Sequence, residues 1–127
     1  MSISGLGVCK IGAFAAVLDR DSARTFYRDT LGLTLISEDD FAMVFDANGI
    51  NLRVSPVREM TAAPYTVLGW EVPDIATMVS TLTGRGVKFE RYGFMEQDEL
   101  GIWDAPGGTR VAWFKDPSGN TLSLAQH

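Results

Sequence analysis

The apolar positions of the chain fall into two passages that follow the same order. Ile11 to Leu18 (IGAFAAVL) is apolar with small residues interleaved, the pattern of a strand with little surface exposed on either side. Asp19 and Asp21 follow, and Ala23, Phe26, Tyr27 and Leu31 then recur at helical spacing until Gly32 stops the run. A short amphipathic helix is predicted there. Leu33 to Ser37, Phe41 to Phe45 and Ile50 to Val54 are rich in branched and aromatic residues. They are split by Glu38-Asp39-Asp40 and by Ala47-Asn48-Gly49, which predicts three hairpin-linked strands.

The second passage begins at Val67 to Val72 (VLGWEV), a predicted strand. Asp74 is placed to cap a helix whose Ile75, Met78, Val79 and Leu82 share a face, and Gly84 and Gly86 end it. Val87 to Phe89, Arg110 to Phe114 and Thr121 to Leu124 are the further strands expected. Phe45-Asp46-Ala47-Asn48-Gly49 is echoed by Lys115-Asp116-Pro117-Ser118-Gly119, and Leu18-Asp19 by Pro73-Asp74. The prediction is an α+β fold of two βαβββ modules, about 8–56 and 65–127, whose curved mixed sheets enclose a cup. The second module carries a longer piece, Arg91 to Thr109, with four glycines and a proline, the kind of loop that more often serves function than not.

Composition narrows the setting. A chain of 127 residues with 46% apolar content suits one soluble domain with its own core. No apolar stretch approaches the length of a bilayer span, and Met1 to Lys10 lacks a secretion pattern. The single cysteine, Cys9, has no partner for an internal disulfide, so a reducing cytoplasm is the expected location. A formal charge of −5 and scattered basic residues argue against a nucleic-acid partner and suit a neutral or cationic small ligand better.

Three stretches carry a family resemblance that covers nearly the whole chain: VLDRDSARTFYRDTLGL (Val17 to Leu33), WEVPDIATMVSTLTGRGV (Trp70 to Val87) and VAWFKDPSGNTLSL (Val111 to Leu124). With its "D…FY…LG" helix and closing Asp116-Pro117-Ser118-Gly119-Asn120 hairpin, the chain resembles the vicinal-oxygen-chelate superfamily of glyoxalases, extradiol dioxygenases and bleomycin-binding proteins. All but the bleomycin-binding kind generally use a divalent metal. The resemblance implies four ligand places, usually His or Glu, which fall here on Gly12, Arg53, Val67 and Ser123. These do not make a competent donor set, so no metal and no cofactor is expected. The only histidine is His127, at the terminus, where fraying is expected. The resemblance further implies a homodimer in which modules of two subunits complete each cup.

Placing the cup through those four positions and counting by twos along each strand gives its lining. Gly12, Phe14 and Ala16 point inward, with Asn51, Arg53 and Ser55, then Val67, Gly69 and Glu71, then Val111 and Trp113, then Thr121 and Ser123. Phe41, Met43 and Phe45 are expected to complete the wall. Phe14 and Trp113 either stack on a planar ligand or fill the cup as core. Arg53 and Glu71 either pair inside the cup, or divide the work of binding a substrate carboxylate and acting as base, or form a rim salt bridge. Glu96, Asp98 and Glu99 either belong to a lid with Trp103 as its plug or keep the long loop soluble. Tyr27 and Trp70 are expected to pack between helix and sheet, and Asp19, Asp74 and Asp116 to cap helices and turns.

The ligand-binding set expected is therefore Phe14, Met43, Arg53, Glu71, Trp103, Trp113 and Ser123. The function expected first is metal-independent capture of a small organic molecule, as in the bleomycin-binding proteins, because the Lewis acid of the family chemistry has no place to sit. The alternative is a lyase, isomerase or oxidoreductase of the family with a non-standard site.

Overall fold

The computed structural model describes residues 5–127. After a single 3-10 turn at Gly5–Val8 come β1 (Ala13–Val17), α1 (Arg20–Thr25), β2 (Thr34–Glu38), β3 (Met43–Ala47) and β4 (Ile50–Pro56). The second module repeats the order with β5 (Thr66–Glu71), α2 (Ile75–Gly84), β6 (Trp103–Asp104), β7 (Arg110–Lys115) and β8 (Thr121–Gln126). Each module is one four-stranded sheet, ordered β1-β4-β3-β2 and β5-β8-β7-β6. The first strand of each runs parallel to the last, and the other pairs are antiparallel.

Local chemistry sets the boundaries. The Asp19 carboxylate accepts the Ser22 amide at the start of α1, and Asp74 does the same for Thr77 in α2, the expected N-cap bonds. From Phe26 to Thr30 the first helix widens to π geometry, with the Leu31 amide reaching back to the Phe26 carbonyl at 2.9 Å. Between β3 and β4 the turn is Asn48-Gly49 with φ of 55° and 92°, the two-residue hairpin that matches strand twist.

That turn decides which residues are core. It sets Phe45 opposite Leu52 and Met43 opposite Val54, and all four are buried on the helix side of the sheet. Met43 and Phe45, expected on the cup wall, are thus core residues; Phe41 lies before β3 in an exposed bend. The alternation holds, but its parity in β3 is shifted by one residue, because Val44 and not Met43 lies opposite Arg53. On the same side lie Ala15, Val17, Ala112, Phe114, Leu122 and Leu124, joined in one cluster with Ala23, Tyr27, Ile75, Val79 and Leu82 from the helices. Both modules therefore share a single core.

The predicted strand Val87 to Phe89 is reduced to one bridge, Phe89 to Phe114. The outer place in the second sheet is taken by the two residues of β6, from inside the long loop. Side chains of the closing hairpin bind the modules together. The Asn120 Nδ2 donates to the Ala16 carbonyl at 2.7 Å, and the Ser118 hydroxyl accepts the Leu18 amide at 2.8 Å. Asp116 is buried, where it accepts the Ser118 and Asn120 amides, the Asn120 side chain and the Tyr27 hydroxyl.

Candidate functional site: the open faces of the two sheets

Because the helix side of each sheet is given over to the core, any site built on strands has to use the opposite, open face. On the first sheet, register puts Phe14, Arg53, Val44 and Ser37 in one row across β1, β4, β3 and β2. Ala16 and Ser55 make the next row, and Asn51 faces Asp46. Phe14 is 69% exposed, whereas Arg53 and Val44 are half-buried.

On the second sheet, Gly69, Ser123 and Trp113 form one row, and Glu71, Ala125, Val111 and Trp103 the next. A bulge between Thr66 and Leu68 interrupts β5. A Cβ built at Gly69 would lie 3.7 Å from the Thr66 methyl and 2.9 Å from the Ser123 hydroxyl, so Thr66 shares this face. Glycine at position 69 keeps the middle of the face flat and lets the Ser123 hydroxyl stand over the strand.

Against that flat floor stands an aromatic wall. Tyr92 meets Trp113 edge-on with centroids 5.6 Å apart, Trp103 lies at 6.0 Å from Trp113, and Phe94 stands 5.7 Å from Tyr92. The indoles and Tyr92 are half-buried, while Phe94 is 83% exposed. Burial, helped by the charge of Glu90, raises the Tyr92 phenol above its ordinary range and keeps it a neutral donor. Tyr92, Phe94, Val44 and Thr66 were missed by the sequence reading. The signal for the first two was a pair of aromatics flanking Gly93 in the long loop.

The structure decides between the alternatives open for the long loop and for Arg53 and Glu71. Trp103 is not a plug on a free lid, since β6 pairs it directly with Val111. The loop around it is also fixed: the Gln97 side chain accepts the Tyr92 amide and donates to the Glu90 and Gly101 carbonyls, and Asp98 accepts the Leu100 and Ile102 amides. Asp98 is therefore a turn residue, and Glu96 and Glu99 are exposed. Finally, Arg53 and Glu71 do not pair within the chain, because they lie on different sheets. Glu71 instead meets His127, its Oε1 at 3.3 Å from Nε2, with the other ring nitrogen 3.2 Å from the Thr109 hydroxyl. The terminal histidine thus rests on the open face.

Trp70 packs on the helix side beside Met78 and Leu82, where these residues line a cavity of about 240 Å³, as expected. Among five cavities in the described residues, none is walled by the open faces of both sheets. On the first sheet Phe14 stands 69% exposed, whereas on the second Thr121, expected in the cup lining, is buried with its hydroxyl on the Ala63 carbonyl.

The sequence model of the Glyoxalase/Bleomycin resistance protein/Dioxygenase superfamily matches residues 10–124. The chain belongs to this superfamily. Among solved structures it is similar to a genomically encoded fosfomycin resistance protein from Listeria monocytogenes, with a TM-score of 0.75 at 14% identity over 99% of this chain and 95% of that one. It is also similar to a glyoxalase family protein from Enterococcus faecalis, with a TM-score of 0.73 at 17% identity over 94% and 98% of the two chains. A lactoylglutathione lyase from Agrobacterium tumefaciens gives 0.71 at 15% identity over 94% and 93%. At such identities these likenesses establish the fold. No curated protein matches the chain in sequence.

Divalent metals serve many members of the superfamily, a chemistry that needs several converging nitrogen or carboxylate donors. The four positions hold Gly12, Arg53, Val67 and Ser123, which offer one hydroxyl and a cation. Among the described residues no three His, Cys, Asp or Glu side chains converge. These residues do not fit a divalent ion. The described residues also include no helix long and apolar enough to cross a membrane.

Proposed function

We propose that this chain binds a small organic molecule without a metal ion, in a chamber made when the open face of one copy is closed by the open face of a second. The single observation that carries the reading is the wall of Tyr92, Trp103 and Trp113 standing half-buried beside the flat strip of Gly69, Ser123 and Ala125. Aromatic rings against small side chains offer a planar ligand a slot, the composition of an organic-ligand site. Phe14 at 69% exposure on the other open face, with Ile36 and Phe41 also exposed, is apolar surface that pairing of two copies would cover. This is capture in the manner of a bleomycin-resistance protein, and a reducing cytoplasm suits the exposed thiol of Cys9.

Thermal unfolding with a panel of planar amphiphiles, before and after EDTA treatment, tests the reading. Ligands raise the melting temperature with the logarithm of their concentration above Kd, EDTA changes nothing, and Trp113→Ala abolishes the shift. A shift that requires a stoichiometric divalent ion overturns it, and a monomer by sedimentation in the presence of ligand removes the shared chamber.

A second reading, a lyase, isomerase or oxidoreductase of the same superfamily, is favoured by the contact of Glu71 with His127 on the open face. That pair has the form of a carboxylate base beside an imidazole. Here Glu71→Gln would slow turnover by about a hundredfold or more while leaving binding intact, the size expected for loss of a general base.

A further inference from the structure

Six of the eight arginines have acceptors: Arg20 and Arg24 on Glu38, Arg28 on Asp29, Arg85 on the Thr30 carbonyl, Arg91 on the Glu99 carbonyl and Arg110 on Asp104. Among the described residues the two without one are Arg53 and Arg58, and they differ in setting. Arg58 is exposed, where water solvates it; Arg53 is half-buried in mid-strand between Phe14 and Val44. Asp39 is near enough for its carboxylate to feel the charge of Arg53, but its Oδ1 is already taken by the Phe41 and Ala42 amides.

A guanidinium carries five N–H donors in a rigid fork, and setting it on a partly apolar face without an acceptor is costly. The other polar side chains of that face are Thr34, Ser37, Asn51 and Ser55, which are small and neutral, and Asp46, whose Oδ1 accepts the Gly49 amide at the hairpin turn. The arrangement is a fork held ready on a floor with an aromatic ring beside it. We propose that Arg53 anchors the carboxylate of the ligand, which makes the ligand class an aromatic carboxylic acid whose ring lies on Phe14 and the Trp103–Trp113 wall. The proposal rests on the chamber reading above, which brings the two open faces together.

The net charge of −5 does not oppose this. Long-range repulsion is screened over about 8 Å at physiological salt, whereas a bidentate contact acts at hydrogen-bond range. The global field slows the approach of an anion, and the local fork decides whether it stays.

Calorimetric titration of the intact protein with 2-naphthoate, its neutral amide 2-naphthamide and 2-naphthylmethylamine tests the assignment, in the wild type and in Arg53→Gln and Arg53→Lys. Naphthoate should bind the wild type at least tenfold tighter than naphthamide, with the amine weakest. The preference should vanish in Arg53→Gln and return in part with Lys, which keeps the charge but loses the fork. Because the readout is a ratio of two probes on one variant, a general loosening of the fold leaves it unchanged. Equal binding of naphthoate and naphthamide, with both lost in Trp113→Ala, overturns the carboxylate anchor while the chamber stands. Arg53→Gln that dissociates dimers but keeps the naphthoate preference also overturns it, and failure of every probe removes anchor and chamber together.

Discussion

The Tyr27 hydroxyl donates to the Asp116 carboxylate at 2.7 Å across 89 residues of sequence, and both groups are buried. This bond ties the first helix to the last hairpin, beside the contact of Phe26 with Phe114 at 6.4 Å. Hydrogen bonds to buried charged groups contribute about 1.5–3 kcal/mol. Tyr27→Phe keeps the ring packing and loses the donor, so denaturant unfolding should show a loss of that size.

The same pair fixes an alkaline limit. Burial first, and Asp116 second, raise the Tyr27 phenol above its ordinary value of 10.0. A raised folded-state pKa gives stability that is full below the unfolded value and is lost as pH climbs past it. Stability should therefore fall above about pH 10, and the Tyr27→Phe protein should show a flatter decline there by circular dichroism.

At the acid end the relevant group is Glu38, drawn down from 4.5 to about 2 by hydrogen bonds from Arg24 and then Arg20. A depressed carboxylate contributes stability above its unfolded value and loses it as pH falls toward the folded one. Between about pH 5 and pH 2 the wild type should lose stability more steeply than Glu38→Gln, as followed by urea midpoints at each pH.

Met43 and Val44 are neighbours with opposite duties. Met43→Ala empties the shared core and should cost about 2–5 kcal/mol, whereas Val44→Ala, on the open face, should cost under about 1 kcal/mol. Measured the other way round, these values would reverse the assignment of faces.

Gln97 holds the long loop through three backbone groups. Gln97→Ala should speed hydrogen exchange at the Tyr92 amide far more than at amides of β7, and weaken the near-ultraviolet dichroism of Trp103 and Trp113. Unchanged exchange at Tyr92 would show that the staple is idle.

How far such features could be read in the sequence depended on whether they were local. The helix caps at Asp19 and Asp74, the Asn48-Gly49 turn and the repeat of βαβββ order follow from neighbours in sequence, and the fold was legible from them. Facing was harder. Arg53 and Ser123 lie on the open faces because the family resemblance fixed parity on β4 and β8, and Trp113 follows as the cross-strand neighbour of Ser123. For β3 no such mark existed, and Met43 was assigned to the wrong side since an alternating apolar run looks the same from both faces. The loop was least legible, because Tyr92 and Trp103 are brought to Trp113 by Gln97 and Asp98, whose bonds to backbone atoms have no periodic signature.

The segregation of the two sheet faces has a practical reach. Positions 12, 53 and 123 lie outside the shared core cluster, so chemistry can be exchanged there without refounding the protein. Once two copies bring their open faces together, histidine or glutamate installed at these sites would make the scaffold a test bed for building a divalent-ion centre from a blank surface, with melting temperature as an independent record that the frame is unharmed.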